Sequence, residues 1–239
     1  LYIDSDTIVL GNIMDIWSTR LDGKAIAAVP DVIMKSFVKS STVSLRESGG
    51  LPAGEYLANK LKMSNAVDSY FQAGVILFDL DVVRSLNLEE RSVADLKKDI
   101  YWFLDQDVLN KNLLGMVKFI DTSWNCVNVS SEISHNLSTE WREKLREDLI
   151  FPKIIHYAGA QAKPWNNSNA PWANAYWYYL RKTFWYEAVF NINSIKITSP
   201  THSERGLVYK LIRKYWRMTP SMVRSMLEPV SRWYVSLHQ

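Results

Sequence analysis

The sequence predicts an α/β fold, on three observations. Apolar runs of strand length alternate with amphipathic stretches along most of the chain, the pattern of a sheet flanked by helices. Breakers such as Pro30-Asp31 and Gly159 stand between them. The 239 residues suffice to bury a full core and fit one large domain, or a domain with an appendage.

Taken in order, Leu1-Tyr2-Ile3 is a short apolar strand running into Asp4-Ser5-Asp6, and residues 7–10 resume the apolar run. Residues 13–19 suit a short helix with Asn12 as its cap. Residues 25–29 read as a buried strand stopped by Pro30-Asp31. Residues 39–55, rich in Ser, Thr and Gly, read as a long loop. A central strand is expected over 71–79 and a short helix over 81–86. Val93, Leu96, Ile100 and Phe103 recur at helical spacing, so one amphipathic helix is expected over 89–104. A further helix runs from Asp105, its expected cap, to residue 113. A strand over 117–120, a helix over 137–149 on Trp141, Leu145 and Leu149, and a strand over 154–157 follow. Pro171 then opens a long aromatic helix to about residue 190.

Composition narrows the class. The 10 Trp and 12 Tyr offer flat apolar faces that suit sugar rings, although most belong in an ordinary core. The lone Cys126 rules out an intrachain disulfide and fits a reducing, cytoplasmic compartment. No apolar run approaches membrane-spanning length, and the chain opens on no signal peptide. The sequons at Asn128, Asn136 and Asn166 are short chance patterns. Residues 205–239 carry seven basic side chains against the single acid Glu228, while the whole chain is only +3, so the preceding body is acidic. With its interleaved aromatics this tail suits a basic amphipathic helix. It could lie on an anionic membrane surface, making the protein peripheral on an inner membrane, or pack on the domain with a solvated basic face. Nothing else points to nucleic acid. The expected division is therefore residues 1–200 as the main domain and 201–239 as a basic helical extension.

Four segments could carry chemistry. Asp4 and Asp6 at a strand end are costly unless compensated, and hard oxygen donors suit magnesium or manganese. The bland alternative is a pair of solvated turn aspartates. Phe71-Gln72-Ala73-Gly74 opens the central strand, and Asp105-Gln106-Asp107 opens a helix. His156 ends a strand and precedes Gly159 and Lys163-Pro164-Trp165. A neutral imidazole is a good third ligand beside two carboxylates.

In this order the four segments resemble the motif series of glycosyltransferase family 8, from Leu1 to about Phe190. The resemblance implies a GT-A fold and a retaining enzyme that moves a hexose from UDP-galactose or UDP-glucose to a glycan acceptor, in lipopolysaccharide or another surface polysaccharide. A protein acceptor and a non-catalytic sugar-nucleotide-binding module are the alternatives. The resemblance also implies that the family's base and ribose pocket precedes the D-x-D motif, so a segment before Leu1 is expected.

Residue by residue, the resemblance makes Asp4, Asp6 and His156 ligands of Mn2+ or Mg2+. Ser5, Gln72, Ala73, Gly74, Asp105, Gly159 and Lys163 would contact the donor, with Asp105 on sugar hydroxyls and Gln106 beside the anomeric carbon. The spacing departs in one place: three residues, not two, separate Gly159 from Lys163. Because an amide is a poor nucleophile, a front-face route resting on positioning and electrostatics is chemically preferable to double displacement.

Overall fold

The computed structural model describes residues 1–191, apart from 65, 160, 161 and 168. The expected extension over 201–239, with its membrane reading, lies outside them. Residues Leu1–Ala173 form one compact unit, and the described residues from Asn174 onward belong to a second.

The first unit opens with β1 (Tyr2–Ile3), β2 (Thr7–Val9), α1 (Ile13–Trp17), β3 (Ile26–Pro30) and α2 (Val32–Ser40). A loop with a short turn of helix follows, then α3 (Ala53–Glu55), β4 (Phe71–Phe78), α4 (Leu80–Ser85), α5 (Leu88–Lys98), α6 (Leu104–Asn112) and β5 (Val117–Phe119). It closes with β6 (Cys126–Val127), α7 (Ser131–His135), α8 (Thr139–Ile150) and β7 (Ile154–His156). Side chains fix where many of these helices begin. Asn12, Asp31, Asp79, Ser130 and Ser138 each accept a hydrogen bond from a backbone N–H of the first turn that would otherwise lack a partner.

The strands form two mixed sheets, ordered β1-β4-β3-β5 and β2-β7-β6. The Asp4–Asp6 turn is the crossing point: β1 belongs to the first sheet and β2 to the second. Each end of the turn is pinned, by the Asp4 N–H to the Gly74 carbonyl (2.8 Å) and by the Tyr157 N–H to the Asp6 carbonyl (3.0 Å). β4 is buried from Phe71 to Leu77 and forms the spine of the core. Its pairing with β3 jumps from Ala28 opposite Ile76 to Val29 opposite Gln72, so residues 73–75 are passed over on that side.

A second nucleus surrounds Asp107, which is fully buried. Its carboxylate accepts from Tyr56 Oη (2.7 Å), Tyr70 Oη (2.6 Å) and the Phe103 N–H (2.7 Å). Burial pushes the carboxyl upward in pKa, and these hydrogen bonds oppose the shift.

Four expectations need correction. The helix expected over 89–104 stops at Lys98, and its stripe does not seal a core: Val93, Leu96 and Ile100 are exposed. Asp105 is not the cap of α6. Phe103 holds that position, Leu104 adopts a left-handed φ of 49°, and Asp107 reaches back to the open N–H. Leu149 is exposed at the end of α8, so Leu145 is that helix's buried anchor. The long aromatic helix is instead α9 (Ala173–Leu180), then turns, then helix again over 186–191. It starts late because Trp172 takes a φ of 58°, incompatible with a continuing right-handed helix. Within the second unit, Tyr178 and Tyr179 stack edge to face, with Lys182 over the Tyr178 ring.

Replacing Asp107 with Ala strands two buried hydroxyls and an N–H, and is expected to lower stability by about 3–5 kcal/mol in urea titrations, against less than about 0.5 for the exposed Asp81→Ala. Asp121 supplies a pH test. Despite partial burial, hydrogen bonds from Ser123 and Lys144 hold its carboxyl at about 2. A depressed folded pKa means stability present above the ordinary carboxylate pKa and lost as pH falls through the folded value. Unfolding free energy should therefore drop between about pH 4 and 2, and the drop should be shallower in Asp121→Asn.

Candidate active site

The crossing turn and the second sheet together build the site. In the β2–β7 ladder Thr7 lies opposite His156, so the strand pairing itself sets the imidazole beside the two aspartates. His156 Nε2 lies 3.4 Å from Asp4 Oδ2 and 3.4 Å from Asp6 Oδ1. One donor atom from each of the three residues falls within 4.8 Å of the others. His156 is buried, while the two carboxylates remain partly open to solvent.

The surroundings orient these groups. Asn125 Oδ1 accepts from His156 Nδ1 at 2.9 Å, which turns Nε2, the ring nitrogen that a cation would take, toward the carboxylates. Gln72 closes the ring. Its Nε2 lies 3.2 Å from His156 Nδ1, and its Oε1 accepts from Asn125 Nδ2 and from the Gly74 N–H. Tyr2 donates its hydroxyl to Asp4 Oδ1 at 2.6 Å, and that bond raises the phenol pKa. Gly74 is sterically obligatory: a Cβ there would overlap the His156 ring and sit 3.1 Å from Asp4 Oδ2. Lys163 Nζ forms an ion pair with Asp6 Oδ2 and lies 5.6 Å from the Trp165 ring centre. Burial works against charge on Asp6, but His156 and Lys163 outweigh it and hold the carboxyl well below the usual range.

The register jump in β4 is bridged from α6. Gln106 Oε1 accepts from the Ala73 N–H at 2.9 Å, one of the groups that β3 passes over. Gln106 Nε2 donates to Asp31 Oδ2 (2.9 Å) and to Tyr70 Oη (3.2 Å). Burial pushes Asp31 upward in pKa, against hydrogen bonds from Met34 and Gln106. Asp31 and Asn125 line a small cleft with Gln72, Cys126, Asp148 and Trp172.

The structure thus brings together Asp4, Asp6, His156, Lys163, Gln72 and Gly74. Ser5 sits exposed at the tip of the crossing turn, and Ala73 is engaged through its backbone. Gly159 adopts a φ of 80°, which a residue with a side chain rarely takes. Asp105 is exposed in the first turn of α6, within electrostatic reach of Tyr2. Gln72 was expected to meet a sugar hydroxyl; its Oε1 accepts from Asn125 Nδ2 and the Gly74 N–H, and its Nε2 lies beside the His156 ring. Two supporting residues escaped the sequence reading of this role. They are Asn125, and Asp31, which was read only as a strand stop. The Pro-Asp step before an amphipathic run was the available sign of a cap.

A divalent cation fits this donor set: two carboxylate oxygens and an imidazole nitrogen converge, with the outer ring nitrogen already hydrogen-bonded.

Comparison with known proteins agrees with this geometry. Residues 1–169 match the family model described as glycosyl transferase family 8. Lipopolysaccharide 1,2-glucosyltransferase of Escherichia coli is 28% identical over 169 residues, covering 70% of this chain and 44% of that protein. Lipopolysaccharide 1,3-galactosyltransferase of Salmonella typhimurium is 24% identical over 192 residues, covering 73% and 50%. The chain thus spans about half the length of these curated relatives. The apo structure of the bifunctional glycosyltransferase WbbM superposes with a TM-score of 0.74 and 35% identity, over 79% of this chain and 33% of that one. The mixed sheets flanked by helices are accordingly those of a GT-A fold, and the chain belongs to glycosyltransferase family 8.

Proposed function

We propose that this protein is a metal-dependent retaining glycosyltransferase that moves galactose or glucose from a UDP-sugar to a glycan acceptor in lipopolysaccharide or another surface polysaccharide. The observation that carries the reading is the convergence of Asp4, Asp6 and a correctly oriented His156. The lipopolysaccharide transferases among its relatives support the acceptor class. A non-catalytic module would have no use for that donor set together with its Asn125–Gln72 brace.

Asp4, Asp6 and His156 would hold Mn2+ or Mg2+. When bound, such an ion would supply positive charge for the donor diphosphate and for the charge that develops on the departing nucleotide. Lys163 supplies a point charge for the same phosphates, and the left-handed Gly159 lets the backbone approach them closely. Gln106 positions; it does not attack. Both ends of its amide are hydrogen-bonded, and an amide is a weak nucleophile. Retention then rests on a front-face route in which the acceptor hydroxyl is held beside the leaving phosphate. Asp105, exposed at the first turn of α6, is assigned to the donor's sugar hydroxyls.

The direct test is manganese-dependent release of UDP by the full-length protein from a panel of UDP-sugars, with and without glycan acceptors. Release from one sugar is expected, abolished by chelation and by the Asp4→Ala/Asp6→Ala pair. Folded protein that turns over no sugar with any acceptor would sink the enzyme reading. Asn125→Ala, which frees His156 Nδ1, is expected to weaken Mn2+ binding by about 10–100-fold with the fold intact. Unchanged affinity in a calorimetric titration would remove Asn125 from the site. Gly74→Ala should abolish Mn2+ binding by displacing the imidazole.

A further inference from the structure

The Lys163–Asp6 ion pair places a cation of the protein's own on one of the three candidate metal ligands. We propose that Lys163 is the site's resident counter-ion: it neutralises Asp6 while no metal is bound, and it must leave Asp6 for the metal to enter. The proposal rests on the metal-centre reading above and adds to it a second position for this lysine.

Charge and space support it. Asp4 and Asp6 bring two negative charges beside a buried imidazole, and among the described residues Lys163 is the ammonium paired with Asp6. Its ammonium lies on Asp6 Oδ2, while Asp6 Oδ1 faces His156 Nε2, so the two oxygens of one carboxylate are divided between the lysine and the metal position. A dication and an ammonium on the same carboxylate repel at short range in a partly buried site. The side chain has somewhere to go. Lys163 has a flexible stem and is about one-fifth exposed. A diphosphate bound in the site would offer it a richer set of anionic oxygens than Asp6 does.

The consequence is coupling. Metal entry releases Lys163 to the phosphates, and a diphosphate that draws Lys163 away clears Asp6 for the metal. Each ligand therefore raises the affinity of the other, by reciprocal linkage. Lys163 is here a positioning residue that acts through Asp6.

The test is the affinity of the full chain for Mn2+ alone, with no nucleotide and no turnover, in wild type, Lys163→Met, Lys163→Arg and Lys163→Met/Asp6→Asn. A lysine that merely supports the fold would leave affinity unchanged or lower it. A resident counter-ion predicts the opposite: Lys163→Met binds Mn2+ about tenfold more tightly than wild type, a coupling of ordinary size. Lys163→Arg keeps the weak wild-type affinity, and the double variant loses binding. Wild-type binding with no gain in Lys163→Met overturns the inference alone. No Mn2+ binding by any folded variant overturns the metal centre on which it rests. Should Lys163→Met fail to fold, the wild-type protein still decides. With 15N-lysine labelling, one exchange-protected ammonium resonance is expected, and it should disappear on saturation with Mg2+. Its persistence would overturn the proposal.

Discussion

The pairing of β2 with β7 is the constraint on which the site depends. Three polar groups that repel burial are forced together because one turn carries the chain from one sheet to the other, and the strand that leaves it pairs antiparallel with the strand that ends in His156. Side chains alternate along a strand, so a slip of one residue in this pairing would turn the imidazole to the opposite face. The apolar residues of β2 and β7 hold that register through packing. Function at Asp6 and His156 is thus inherited from the burial of residues such as Ile154 and Ile155.

A hydrogen-bonded relay extends from there into the helical layer. Asp107 holds Tyr70 and Tyr56, Tyr70 and Asp31 accept from Gln106, and Gln106 accepts from the strand carrying Gly74. Gln106 acts as donor and acceptor at once, toward a carboxylate on one side and a backbone N–H on the other. Only an amide satisfies both; a carboxylate of the same shape would face Asp31 with like charge. The chemistry at this position is therefore dictated by the scaffold as well as by any substrate.

Much of this was legible beforehand. Strand lengths, the Asn12 cap, the central strand and the gathering of Asp4, Asp6 and His156 follow from apolar runs and from motif order. What escaped was nonlocal. The stripe of Val93, Leu96 and Ile100 has helical spacing, yet spacing does not say that the face stays exposed. Leu104 breaks the helix by taking a left-handed φ that nothing in a leucine announces. Asn125 braces His156 across 31 positions, and Asp31 meets Gln106 across 75. Contacts of that separation leave no local pattern.

The crossing turn has a mechanical meaning as well. Asp6 lies at the start of β2 and His156 at the end of β7, so whatever grips both side chains also rivets the two strands at the point where they would fray. Occupancy and folding are then one equilibrium. A ligand present at about a hundred times its dissociation constant adds roughly 2.7 kcal/mol to the native state, and a sheet of only three short strands is where such a rivet matters most.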